Sequence, residues 1–289
     1  RHAHVLGPDA LAVTLEAFRA APEGSEEQRS ARLLLDWQAD SQSGRQLATL
    51  DEREIAWEGS AVVRVTDTRL IPYETVAIEL GNNTDRKDRH AIETARATLV
   101  ERGLAPMRRE RFERERAITE ALGLAASYNA TFELLSGVSL AGLKAECEQF
   151  LRDTSDLWAD VFPEFTKRVL GMDAAEVTRA DALALFRARD FDQYFPPNRM
   201  EESIRRQVQE MGIVPLASGR ITLDTADREG KRSRAFCSPV RVPEEVYLVL
   251  RPHGGQTDWT TFLHELGHAL HFAYMRPDLA FEYRWLGDN

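Results

Sequence analysis

The segment His264-Glu265-Leu266-Gly267-His268 carries two imidazoles and a carboxylate in the order HExxH. On a helix, the i, i+4 spacing sets two neutral imidazoles side by side, where one divalent ion bridges them. At about 100° per residue, His264, His268, His271 and Met275 fall within about 60° of one another. Phe262, Leu266, Leu270 and Ala273 gather on the opposite side. The pattern predicts one buried face and one face of imidazoles. Glu265 lies on the flank of the imidazole face, within reach of a water on the ion. The chemistry these types and spacings suit is that of a zinc hydrolase. His264 and His268 would be the metal ligands, and Glu265 the general base that takes a proton from water and returns it to the leaving group. The competing reading is a helix whose histidines satisfy polar partners and bind nothing.

The elements that must hold this helix are read from the same chain. From Asp9 to Trp57 apolar residues recur at helical spacing, broken at Pro22-Glu23-Gly24-Ser25. Val62-Val63-Arg64-Val65-Thr66 and Glu74-Thr75-Val76-Ala77-Ile78-Glu79-Leu80 are rich in β-branched residues and predict a hairpin at about 61–80. Helical patterns follow to about Gly137, with interruptions near Gly103–Pro106 and Gly123, then at 139–153, 155–170, 178–190 and Arg199–Met211. After Gly212 come three short strands, at 221–224, 234–238 and 245–250, and they lead through His253-Gly254-Gly255 to the HExxH helix. Thr257 or Asp258 is the expected N-cap. The fold class is therefore mostly α: a multi-helix bundle with a small sheet beside the HExxH helix, plus the hairpin. Residues 1–219 are expected to form a helical scaffold and 220–289 a catalytic module packed against it as one unit.

Bulk properties exclude several functions. The 37 Lys and Arg against 47 Asp and Glu leave a net charge of −10, with the two signs interspersed. The arginine-rich run Met107–Arg116 alternates with glutamates, as a solvated helix face does, and gives no basic stripe for nucleic acid. No apolar run approaches the about 20 residues of a membrane span. Two cysteines, Cys147 and Cys237, suit a reducing compartment better than a disulfide framework, and the start Arg1-His2-Ala3-His4 has no signal-peptide pattern. Cytoplasm is the expected location, with no nucleic-acid and no membrane partner.

The run Phe262-Leu263-His264-Glu265-Leu266-Gly267-His268-Ala269-Leu270-His271 resembles the active-site helix of the thimet oligopeptidase and oligoendopeptidase F family of zinc peptidases. Asp224 through Gly230-Lys231, Ala235-Phe236-Cys237 and the Gly254-Gly255 corner resemble that family's approach to the helix. The specific similarity covers about residues 220–289, and the helical remainder is compatible with the family's mostly α, zincin-like fold. The resemblance implies one zinc ion per complete site and endopeptidase action on short peptides inside a channel between helical lobes. In related enzymes a strand such as Val246–Leu250 pairs with the extended substrate, although it reads equally as ordinary core. The metzincin pattern is excluded, because it needs a histidine at position 274 and Tyr274 stands there. His271 is expected to be a neighbour of the site rather than a ligand.

A catalytic zinc normally takes three protein ligands, and the motif supplies two. The resemblance implies a glutamate about 25 residues after the second histidine, beyond Asn289. The end Phe281–Asn289 reads as sequence interrupted before its next helix, so the chain is expected to lack a C-terminal part and to hold zinc weakly. Asp288 is the alternative ligand. Two other functions stay open: a peptide-binding or scaffold protein without turnover, and a metallo-carboxypeptidase with a similar helix.

Overall fold

A computed structural model describes residues 5–213, 219–226, 228, 231, 235–252 and 254–284. In chain order the elements are α1 (Pro8–Ala20), α2 (Glu26–Ser60), β1 (Val62–Arg64), β2 (Leu70–Pro72), α3 (Val76–Asn82), α4 (Arg86–Leu99), α5 (Ala105–Ala121), α6 (Tyr128–Ser136), α7 (Leu140–Leu170), α8 (Arg179–Phe186), α9 (Pro197–Glu210), β3 (Ile221–Asp224), β4 (Phe236–Arg241), β5 (Glu245–Val249), α10 (Gln256–Ala273) and α11 (Phe281–Arg284). The class is mostly α with two small sheets, as the periodicities predict. Contacts divide the chain into two compact units, 1–58 with 97–175, and 59–96 with 176–289. No described helix is long and apolar enough to cross a membrane.

In the first unit Leu11 of α1, Leu35 and Ala39 of α2 and Leu124 form a small core. The interruption expected at Gly103–Pro106 is a π-helical turn, Val100–Leu104, that carries the helix on into α5. A Cβ at Gly103 would lie 2.6 Å from the Trp57 indole nitrogen, so only glycine lets the backbone pass that ring. The arginine-rich run lies on α5, and its guanidinium groups reach across to α2: Arg108 to Glu54 at 2.8 Å and Arg111 to Asp51 at 2.6 Å. The two helices expected at 139–153 and 155–170 are one. Thr154 Oγ1 donates to the Phe150 carbonyl at 2.7 Å and Ser155 Oγ to that of Arg152 at 3.0 Å, so both hydroxyls are accommodated inside α7 without breaking it.

The second unit contains the HExxH helix. Its hairpin is shorter than expected: Val62–Arg64 pairs antiparallel with Leu70–Pro72, and Val76–Asn82 is helical. Val76 and Leu80, four apart, are both buried as α3 packs on α8. That burial overrides the strand preference of the β-branched residues. Sheet order is β3-β5-β4, with β3 parallel and β4 antiparallel to β5. β5 is thus the central strand, paired on both edges, and it has no free edge for a substrate backbone. This corrects the substrate-pairing reading of Val246–Leu250. Among the described residues the outer strands are β3 and β4.

Val246, Leu248 and Leu250 point with Ile221 into one core, against Phe262, Leu266, Ala269, Phe272 and Ala273 of α10. Met200, Ile204 and Val208, at four-residue spacing on α9, close the same core. The division expected at 219/220 falls inside this unit for that reason: α9 cannot bury its apolar face without the sheet and α10. Fully burying a side chain such as Phe262 or Phe272 stabilises by about 1.5–3 kcal/mol, more than a typical helix cap. The core therefore sets where α10 docks, and polar contacts fix its ends.

Candidate metal centre

α10 presents an apolar face and an imidazole face, as its spacing predicts, with one exception. The helix ends at Ala273, so Met275 lies past it and packs against the apolar core instead of joining the histidines. Phe262, Leu266, Ala269 and Phe272 are buried, His264 is exposed, and Glu265 and His268 are half-buried on the flank and face. The His264 and His268 Nε2 atoms stand 3.2 Å apart, with the two rings nearly perpendicular. A tetrahedral zinc with bonds of about 2.0–2.1 Å holds any two of its donors about 3.3 Å apart, so the pair fits two of the four vertices. The same distance suits one imidazole donating its Nε2 hydrogen to the other, so the pair is satisfied as a bare hydrogen bond as well. The Glu265 carboxylate makes no hydrogen bond or ion pair among the described residues.

Among the described residues no third His, Cys, Asp or Glu gathers with the pair. His271 is exposed, its ring set edge-on to Phe272 at 5.4 Å, and it does not join His264 and His268. Asp278 is engaged by Arg276, whose Nε lies 3.0 Å from its Oδ1. Asp288 and His253 lie outside the described residues, as do Arg1–His4 and residues 227, 229–230 and 232–234.

Two contacts that local spacing does not reveal hold the ends of α10, and a third braces the strands that lead to it. The helix starts at Gln256, with Gly255 as N-cap, rather than at Thr257 or Asp258. Its first N–H is capped from a distant 3₁₀ turn at Arg189–Tyr194: Asp192 Oδ1 accepts from Gln256 N at 2.9 Å. Arg187 grips Asp192 with two bonds, of 2.9 and 2.8 Å. Burial pushes the Asp192 carboxyl up, but the bonds from Arg187 and Gln256 outweigh it and hold it below the usual carboxylate range. Asp258, inside the first turn, accepts instead from Gly254 N at 2.6 Å. At the other end Arg220 Nη1 donates to the Ala273 carbonyl at 2.9 Å. An anion at the N-terminus and a cation at the C-terminus both complement the helix dipole.

The third brace is Lys231, buried at the end of the sheet. Its Nζ is shared among the Asp224 carbonyl and carboxylate, the Ala226 carbonyl and the Leu250 carbonyl, at 2.8–3.0 Å. It ties the ends of β3 and β5 together just before the chain turns into α10. Arg228 and Lys231 together hold the Asp224 carboxyl far below the usual range.

Gly255 has φ of 89°, and a Cβ there would lie 2.5 Å from Asp192 Oδ1. Gly255→Ala is therefore expected to strain the backbone and displace the cap, lowering unfolding stability by about 1–3 kcal/mol in a urea titration. An unchanged midpoint would show that Asp192 yields freely and does not fix the start of α10.

Signals for His264, Glu265 and His268 lie in the sequence itself. Asp192, Arg187 and Arg220 carry none, since each acts on α10 from a distant part of the chain. Compared with family models, with curated proteins and with solved structures, the chain matches none.

Proposed function

We propose that this protein is a zinc-dependent peptidase that hydrolyses short peptides, with His264 and His268 as two zinc ligands and Glu265 as general base. The observation that carries the reading is the 3.2 Å approach of the two Nε2 atoms on the outward face of a helix fixed at both ends. Zinc, when bound, supplies Lewis acidity toward a peptide carbonyl and a water molecule. The two imidazoles would hold the ion through Nε2. Glu265 accepts a proton from water on a carboxylate oxygen and delivers it to the nitrogen of the leaving amine. That it has no competing partner among the described residues supports that role. The preference for short peptides, and for interior over terminal bonds, rests on the resemblance of residues 220–289 to the oligopeptidases. A third protein ligand, which a catalytic zinc normally takes, is to be sought outside the described residues. The proposal of a reducing compartment such as the cytoplasm rests on the sparse cysteines of the sequence, Cys147 and Cys237.

Zinc titration of the protein tests the ligand assignment. His264→Ala and His268→Ala are each expected to weaken zinc binding by about 10-fold or more, and the two together to abolish it. His264 is exposed and His268 half-buried, so neither truncation opens a cavity in the core, and a circular dichroism spectrum checks the fold. Parent-like affinity in either variant overturns the site. Stoichiometric zinc without peptide hydrolysis would instead favour a peptide-binding protein without turnover.

A further inference from the structure

α7 leaves a long apolar face without a partner. Every residue from 141 to 153 and from 155 to 161 is exposed, and the helix buries Thr166 near its far end. Phe150 and Leu151 are each 66% exposed, Leu157 63% and Trp158 55%; Leu143 and Val161 continue the row. At about 100° per residue these side chains share a stripe about 120° wide, as broad as the face a helix ordinarily buries in a bundle. From Leu143 to Val161 it runs about 27 Å. Trp158 and Phe162 are stacked, ring centroids 4.4 Å apart, so the aromatic part of the surface is already ordered.

One border of the stripe is acidic. Glu146, Asp153, Asp160 and Glu164 follow one another along it at helical spacing, all exposed. Among the described residues Glu146, Asp160 and Glu164 make no ion pair, and Asp153 accepts only from the Gln149 amide. A second copy of the chain does not complement this arrangement. Antiparallel pairing would lay acidic border against acidic border. Parallel pairing would set Glu146, Asp153 and Asp160 against Leu151, Trp158 and Phe165, which desolvates three carboxylates without neutralising them. An anionic membrane surface is likewise repelled by the border.

We infer that α7 is the docking surface for an amphipathic helix of another polypeptide, one whose apolar stripe is bordered by lysine or arginine. The apolar rows supply burial, and the acidic border selects partner and orientation. The inference is independent of the zinc site.

The probe is a synthetic amphipathic helix of about five turns with a lysine border, compared with the same peptide carrying glutamates there. At low salt the lysine peptide is expected to bind the protein at least about 10-fold more tightly, with amide shifts confined to α7 in a heteronuclear NMR spectrum, and the difference is expected to shrink at high salt. Asp153→Lys combined with Asp160→Lys, both exposed and so harmless to folding, is expected to reverse the preference. Leu157→Glu is expected to abolish binding of either peptide. Equal binding of the two peptides, or no binding by the folded protein, overturns the proposal. So does a concentration-dependent dimer in sedimentation that Leu157→Glu disperses, because a second copy would then be the occupant. Binding of α7 to neutral lipid vesicles in preference to the lysine peptide would overturn it as well.

Discussion

Glu265→Gln is expected to leave zinc affinity within about 2-fold of the parent while cutting zinc-dependent peptide hydrolysis by about 10²–10⁴-fold, the usual contribution of a positioned general base. Glutamine matches glutamate in shape, and the parent carboxylate has no partner among the described residues, so no fold contact is lost. Both imidazoles keep their places, because Nε2 of His264 faces Nε2 of His268 and neither depends on Glu265. Only the proton acceptor disappears. A quenched peptide assayed at saturating zinc, beside a zinc titration of the same preparation, separates chemistry from metal binding. Hydrolysis at the parent rate in the glutamine variant would falsify the assignment of Glu265 as base. Loss of zinc together with activity would place Glu265 among the ligands instead.

The second large effect concerns stability. Asp181, at the start of α8, is fully buried, and its two oxygens take four bonds. Arg89 of α4 donates to Oδ1 from Nε at 3.2 Å and from Nη2 at 2.6 Å. Thr178 donates to Oδ2 from its backbone N–H at 3.1 Å and its hydroxyl at 3.0 Å. Arg89, itself buried, sends Nη1 to the Asn83 and Thr84 carbonyls, so the guanidinium is satisfied at every edge. Asp181→Ala would strand that charge, and the expected cost is about 3–5 kcal/mol. Removing both partners, with Arg89→Met and Asp181→Ala combined, is expected to cost less than the two single changes added together. Additive losses would mean that the two side chains stabilise separately.

The pH dependence of this pair has a definite sign. Burial pushes the Asp181 carboxyl up, but Arg89 and Thr178 outweigh it and the net shift is downward. A carboxyl lowered in the folded state contributes its stability in full above the ordinary aspartate value of about 3.9, and loses it as pH falls through the folded value. The gap in unfolding free energy between parent and Asp181→Ala is thus expected to be fully developed at about pH 5 and to narrow below about pH 4. Arg86, at 3.9 Å, and His90, at 3.5 Å, face the same carboxylate. Urea titrations at neutral pH and near pH 3 read the difference.

Local spacing carried the helical class, the three strands before α10 and the two faces of α10 itself. An i, i+3, i+4 rhythm over eighteen residues leaves one way to bury Phe262, Leu266 and Phe272, and it turns His264 and His268 outward together. Short β-branched runs were less decisive. Val76–Leu80 has strand composition yet is helical, because packing on α8 rewards the four-residue spacing of Val76 and Leu80 more than intrinsic preference opposes it. Val246–Val249 is a strand as expected, but its place between β3 and β4 follows from sheet order, which no property of that segment encodes.

What the sequence by itself determined, then, is the spacing of the two imidazoles and the carboxylate, since a helix fixes i, i+4 geometry within a single segment. What only the tertiary structure decided is how that helix is held: Asp192 at its first turn, Arg220 at its last, and Lys231 across the strands that feed it. The first two join residues 64 and 53 apart along the chain, and the third joins the ends of β3 and β5. Such contacts depend on the apolar faces of α9, the sheet and α10 closing on one core, which brings the charges within bonding distance.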